Sequence, residues 1–486
     1  MLSWLPSITY EQVCQAMGLL FLLDLLFYLP IFRVGFSRRE AENFRTDDLG
    51  FRLVLLGVWL MALALWFAPL PGARLAGAFA LTLIFRQYFI AQRWSSVRRG
   101  FGAPGFMSHW AARVVLLIEL VRAIDAGSTL SLLFATIRWD FGWIMICAGT
   151  YKLLVGYLRN NGMEYGRVNP IWGYHWWLFR HVSPHGLIPV VENYLACLVE
   201  IAAGVLMVVP SVDAQVLGAV GITLSFAYVG LSIRLGRLAF LMAVLPFFLW
   251  PSVQASANAG PVWALGAAVP AAVPTAIRAC LWIYIVLLPV VKVTQYVNLF
   301  LNRTLPQPLQ RWITRYANWV PIIMWRVFTA DVTNFYVRIL GCDERGDTIE
   351  PIVTEASYGI GDWRRWRFKL RLLHVGESIA LVSVFTTRKY FPSNVELFND
   401  KLRRYASSLL LDWGRTYPLL RFEYVKVHKA GDHFEYLRLG DYVLDTRTGD
   451  VREERLAPGF SFTATADYSP IREGAAPGSM EPKTAR

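Results

Sequence analysis

Only two lysines stand among the first 325 residues, Lys152 and Lys292, against 22 arginines. Arginine keeps its proton in proteins, whereas a desolvated lysine can lose its proton and serve as a base. Lys152 lies inside a long apolar run at 129–158, which makes it a candidate catalytic base. The alternative is a lysine snorkelling from a helix end, since Tyr157-Leu158-Arg159 closes the run. Two carboxylates follow, Glu192 and Glu200, eight residues apart and therefore on roughly one face of a helix. They could flank or counterbalance Lys152 if the two helices pack together. Between lysine and glutamates runs the connector RNNGMEYGRVNPIWGYHWWLFRHVSPHGL, residues 159–187. Trp172, Tyr174, His175, Trp176 and Trp177 are candidate substrate or lipid contacts in it, because amphipathic rings settle at headgroup level. Such a segment could be a lid or lateral gate over a lipid-soluble ligand, or a plain interfacial re-entrant segment. His175, His181 and His185 are close in sequence, but Pro184 interrupts helical spacing and no carboxylate or cysteine is near, so no metal site is expected.

The elements that must position these residues are apolar helices. The chain is 55% hydrophobic and 17% charged, against about 45–50% and about 25% in soluble domains. A disordered, collagenous or disulfide-scaffold protein is excluded. The net charge of +13 is not spread evenly: residues 1–325 hold 24 Lys+Arg against 13 Asp+Glu, and residues 326–486 hold 24 against 22. The basic excess belongs to the hydrophobic part, so a nucleic-acid partner is not expected. Apolar runs at 12–32, 51–70, 73–92, 110–126, 129–158, 188–210, 214–232, 236–250 and 272–299 suggest about nine transmembrane helices, each spanning with roughly 20 residues. One alternating set of loops carries 13 arginines, among them Arg33, Arg93, Arg159 and Arg234, and the other carries only Arg74. The positive-inside rule then puts the N-terminus outside and the C-terminal domain in the cytoplasm of a multi-pass plasma (bacterial inner) membrane protein. The N-terminus lacks the basic region of a cleaved signal peptide, so the first run is expected to stay as an anchor.

Charges fall within these runs as well: Asp24, Arg86, Glu119, Arg122, Arg138, Asp140, Arg278 and Lys292. Each is costly at membrane depth and survives by pairing, snorkelling or function. Glu119 and Arg122 are spaced to pair with each other; Arg138 and Asp140, two apart, each need another partner. The five cysteines form no CxxC pair, and no disulfide framework is legible.

Past the membrane domain (1–300), residues 301–325 mix arginine with Trp312, Trp319 and Trp325, as an amphipathic interfacial linker does. Residues 326–466 read as a small α+β soluble domain. Alternation at 334–340, 367–373 and 421–428 predicts strands, helical spacing predicts a helix over 394–414, and TRTGDV at 446–451 predicts a hairpin turn. The Trp/Arg-rich GDWRRWRF (361–368) could touch headgroups or a partner. Residues 467–486 are polar and rich in Gly and Pro, a disordered tail. The fold class is thus a polytopic α-helical membrane protein followed by a small α+β soluble domain.

Around Lys152 the segment AGTYKL (148–153) resembles the Ala-Gly-x-x-Lys-Leu segment of vitamin K-dependent gamma-carboxylases. It also resembles that of their bacterial relatives, the horizontally transferred transmembrane domain proteins. The resemblance extends over roughly residues 10–300, and MWRVFTADVTNFYVRI (324–339) is similar to the region after the last helix in many bacterial relatives. It implies a membrane-embedded enzyme that handles a quinone or hydroquinone, with Lys152 as the base that deprotonates it. The chain departs from the carboxylases in having a single lysine in the motif, preceded by Tyr151, and in the expected cytoplasmic side of its soluble domain. Glutamate carboxylation itself therefore does not carry over. The alternative is a non-catalytic membrane scaffold or assembly subunit that recruits a protein partner through residues 326–466. Membrane lipids are partners under either reading.

Overall fold

The computed structural model describes residues 7–34, 49–86, 102–125, 127–154, 157–158, 162–235, 237–259, 270–300, 306–319, 334–358, 381–382, 384–388, 394–413 and 415–455. The helices are α1 (Tyr10–Val34), α2 (Leu49–Phe67), α3 (Ala73–Arg86), α4 (Gly102–Ile124), α5 (Ser128–Leu154), α6 (Gly162–Val168), α7 (Trp176–Phe179) and α8 (Leu187–Val208). They continue as α9 (Val212–Ser232), α10 (Arg237–Val244), α11 (Pro251–Ala259), α12 (Ala272–Phe300), α13 (Gln307–Trp319) and α14 (Val395–Trp413).

Among the described residues, four helices are long and apolar enough to cross a bilayer, namely α5, α8, α9 and α12. A fifth span arises only if Leu238–Leu249 and Pro251–Ala259, bent by 66° at their junction, count as one. The nine spans expected from the apolar runs are therefore not matched one for one, and the reasons are local. In the run at 236–250, Pro246 and Pro251 remove backbone donors and break the helix into α10, a 3-10 turn and α11. The run at 73–92 is described only as far as Arg86. Helix α4 carries Arg113, Glu119 and Arg122 along its length.

Small residues set how closely the helices approach, as is usual where packing in lipid depends on van der Waals contact. A Cβ on Gly77 would lie 2.6 Å from the Ala62 carbonyl, so α2 and α3 touch backbone to backbone. The same device joins α5 to α8 at Gly142, Gly149 and Gly204, and α8 to α9 at Gly218. Trp66, buried and edge-on to Phe21, donates its indole N–H to the Cys14 carbonyl at 2.8 Å, which ties α2 to α1.

Several charges of the apolar runs find partners among the described residues. Arg122 pairs with Glu119 at 3.2 Å, and Arg74, the lone arginine of its loop set, reaches Glu119 at 3.6 Å and Glu11 at 2.5 Å. Asp140 accepts from Trp110 at 2.8 Å and Arg113 at 3.2 Å. Helix α13 packs its buried Ile313 with Leu288 and Val291 of α12 and with Trp139 and Trp143 of α5. Part of its apolar stripe is thus covered by protein, not by a membrane surface.

The C-terminal region is an antiparallel five-stranded sheet in the order β2-β1-β3-β4-β5. Its strands are β1 (Phe335–Cys342), β2 (Thr348–Val353), β3 (Leu419–Ala430), β4 (His433–Asp445) and β5 (Val451–Arg455). The β3–β4 hairpin closes on Gly431 and the β4–β5 hairpin on Gly449, both at positive φ (59° and 79°), where a side chain would strain the backbone. Phe398, Leu402, Tyr405 and Leu409 of α14 join Phe422 and Tyr442 of the sheet in its core. The expected strand at 367–373, the segment 361–368, residues 320–325, the tail from 467 and most of the first arginine-rich loops lie outside the described residues.

Candidate functional site

Glycines bring the candidate base to its partner. A Cβ on Gly149 would sit 2.5 Å from the Cys197 carbonyl and 2.6 Å from the Ile201 side chain, and one on Gly204 would sit 2.7 Å from the Gly142 carbonyl. With α5 and α8 pressed together in this way, Lys152, three residues beyond Gly149, meets Glu200. Its Nζ donates to Glu200 Oε1 at 2.7 Å and to the Ala196 carbonyl at 3.4 Å, and it lies 5.8 Å from the centre of the Tyr157 ring. Both charged side chains are buried. The second carboxylate oxygen, Glu200 Oε2, is buried with no hydrogen-bond partner among the described residues.

Glu192 is placed elsewhere. It is held by the connector, where Arg167 of α6 reaches it at 2.5 Å and the Tyr228 hydroxyl of α9 donates to it. The same guanidinium donates to Tyr228 at 2.6 Å and lies 4.3 Å from the Phe179 ring centre. Beside it, Asn193 donates to both oxygens of Glu164 at 2.7 and 2.8 Å and accepts from the Met163 amide at 3.0 Å. Two adjacent residues of α8 therefore clamp α6, which is buried along its whole length. Sequence reasoning grouped Glu192 with Lys152 by helical face, but eight residues separate the two glutamates along the axis by about 12 Å. Arg167, counted as a topological charge, is instead part of this clamp. The readable signal was Glu164 and Arg167 in a segment that also supplies two glycines.

The aromatic connector divides into inward and outward residues. Trp172 is buried, and its carbonyl accepts from the Arg234 amide at 2.6 Å. Gly173 bridges to Ile233, where any Cβ would be 1.9 Å from the Arg167 carbonyl. Tyr174 lies under Arg234, 5.3 Å from the guanidinium to the ring centre. Burial raises its phenol pKa, and Arg234 opposes that shift. His175 and Trp177 are exposed, and Trp176 stands against Tyr436 of β4 at 6.0 Å. The structure thus places Glu200 and Tyr157 at Lys152, and puts Trp172, Tyr174, Trp176 and Glu192 in the scaffold that ties the connector down. Tyr157 was legible only as the residue closing the run.

The C-terminal sheet rests on the connector. Tyr436 donates to the Val168 carbonyl at 2.5 Å, Asn169 donates to the Phe335 carbonyl at 2.7 Å, and Tyr165 packs edge-on against Phe434 at 5.5 Å. Beside this contact Glu355 accepts from Tyr336 at 2.5 Å and from two nitrogens of Arg338 at 2.7 and 2.5 Å. Burial raises the Glu355 pKa, but the hydrogen bonds from Arg338 and Tyr336 outweigh it, and the carboxyl is held below its ordinary value.

No family model, curated protein or solved structure matches the chain.

Proposed function

We propose that the protein is a membrane-embedded enzyme of carboxylase-like type whose Lys152–Glu200 pair moves a proton to or from a lipid-soluble hydroxyl substrate of the hydroquinone class. The observation that carries this reading is the buried 2.7 Å pair whose second carboxylate oxygen has no partner among the described residues. A neutral Lys152 amine takes the substrate's O–H proton, and the ammonium so formed is held by the Glu200 carboxylate, in the arrangement seen. Oε2 is an acceptor of the kind a hydroxyl would use while it is positioned for that transfer. A structural ion pair has less need of an unsatisfied oxygen, since a buried polar group without a hydrogen bond costs about 1–3 kcal/mol.

The reading is supported on topology by the docking of the sheet on the connector. With the bent pair counted as a fifth span, α12 returns to the side of the connector, and under the positive-inside rule the arginines of the connector favour the cytoplasm for both. A second reading, a scaffold that recruits a protein through residues 326–466, is favoured by the seating of the sheet on the same connector that clamps α8.

The test is oxygen uptake by the purified full chain given a short-chain naphthohydroquinone, with mass spectrometry of what co-purifies in native lipid. Uptake that disappears in Lys152→Arg, at unchanged expression, supports the base assignment. Full activity in that variant removes it. Wild-type protein that holds no quinone but carries a stoichiometric protein partner supports the scaffold.

A further inference from the structure

The four-residue helix α7 points its rings two ways. Trp176 and Phe179 turn inward to Tyr436 and Arg167, while Trp177 and Leu178 are 58% and 52% exposed. Two consecutive turns, closed by the Val182 amide on the Phe179 carbonyl at 3.0 Å and the Gly186 amide on the Ser183 carbonyl at 3.0 Å, lead straight into α8. There Leu187 and Ile188 are 80% and 65% exposed, and the exposed row continues through Val191, Leu195 and Leu198 along a helix long enough to span. The outward apolar residues of the connector are therefore close in the chain to a face that lipid covers. The charge in this stretch has one sign. From Gly166 to Val191 there is no Asp or Glu, while Arg167, Arg180, His175, His181 and His185 are present. Arg167 is committed to Glu192, but Arg180 donates to His181 at 2.9 Å, and His181 and His185 are exposed.

We infer that this edge of the connector is seated in the headgroup layer and binds anionic phospholipid, with Trp177, Leu178 and Leu187 in the acyl boundary and Arg180 and His181 on the phosphate. A cationic arginine next to a row of apolar side chains is what such a layer attracts, at about 1 kcal/mol per basic residue near the surface, and the His181 imidazole adds a hydrogen-bonding group. The inference rests on α8 crossing the membrane.

Full-length protein exchanged into nanodiscs of equimolar phosphatidylglycerol and phosphatidylcholine, then released for native mass spectrometry, reads the retained lipids directly. Wild-type protein is expected to hold phosphatidylglycerol over phosphatidylcholine by about fivefold, one basic contact's worth of affinity. Arg180→Gln/His181→Gln brings the ratio close to one, and Trp177→Ala lowers the number of lipids retained while keeping the preference. A wild-type ratio of one overturns the inference. So does a preference that survives the double variant but falls in Arg311→Gln/Arg315→Gln, since the site would then be α13. Alkaline extraction of membranes separates the two failures: a chain released into the soluble fraction removes the spanning reading, whereas a retained chain with no lipid preference removes only the headgroup site.

Discussion

Glu200 in the helical part and Glu355 in the sheet are both carboxylates facing a cation, yet they are built differently. Glu355 is surrounded: Tyr336 and two nitrogens of Arg338 donate to it, and Arg338 is shared with Glu423, which Arg438 also reaches at 2.9 Å. Arg438 in turn holds Asp441, three residues on. The sheet spreads its charges over a ladder in which each group has several partners and the arginines Arg338 and Arg438 keep access to water. Glu200 is buried, with one cation and one oxygen that has no partner among the described residues. A ladder of the first kind distributes loss, whereas a lone buried pair concentrates it. The pair is thus poor as a structural fastening and well suited to being disturbed by a ligand.

The largest expected effect follows from that contrast. Removing one member of a buried pair strands the other charge, at about 3–5 kcal/mol. Glu200→Leu or Lys152→Met alone should therefore collapse the folded yield and the apparent melting midpoint in detergent. The double variant Lys152→Met/Glu200→Leu should recover most of the loss, because two apolar groups of similar volume can replace a buried pair. Arg338→Met, tested beside it, should cost clearly less, since Tyr336 still serves Glu355 and Arg438 still serves Glu423. Equal losses for the membrane and sheet variants would mean that the two networks do not differ in the way described.

Next in size is the packing that creates the pair. Gly149→Val forces a branched side chain onto the Cys197 carbonyl and the Ile201 side chain. Overpacking of this kind costs about 1–3 kcal/mol, and here it must push α5 from α8 and lengthen the Lys152–Glu200 contact. Gly57→Val serves as the control, because nothing lies within 4 Å of the Cβ it would add. A midpoint lowered by Gly149→Val and left in place by Gly57→Val is the expected result. Matching midpoints would show that the close approach contributes little.

These particulars explain what could be read in advance. Lys152 stood out by residue type, and the β4–β5 hairpin stood out in TRTGDV, where Gly449 sits at a positive φ that only glycine adopts comfortably; the β3–β4 hairpin on Gly431 was not read in advance. The pairing of Lys152 with Glu200, not with Glu192, depends on axial height, which is set by where Gly149 and Gly204 let two backbones meet. A sequence gives the periodicity of a helix but not its height against a neighbour. The clamp of Arg167 by Glu192 and Tyr228 was hidden for a related reason: arginine in a loop is usually topological, and its partners arrive from 25 and 61 residues away. Nine spans are not matched among the described residues, and at 236–250 the reason is legible: Pro246 breaks a run that looks continuous by composition.

The smallest expected effect is a matter of pH, and it separates the two regions once more. Glu355 has a folded-state pKa below its ordinary 4.5. A depressed carboxyl contributes stability that is fully present above its unfolded value and is lost as pH falls through the folded one. Protection of β1 and β2 amides against hydrogen exchange in the full chain should therefore hold from pH 7 to about pH 5 and decline below it. Glu355→Gln should start with lower protection and lose less on acidification, because the titrating group is gone. Protection of β1 that falls equally in wild type and variant would show that the acid response of the sheet arises elsewhere, and that Arg338 and Tyr336 hold Glu355 without stabilising the fold.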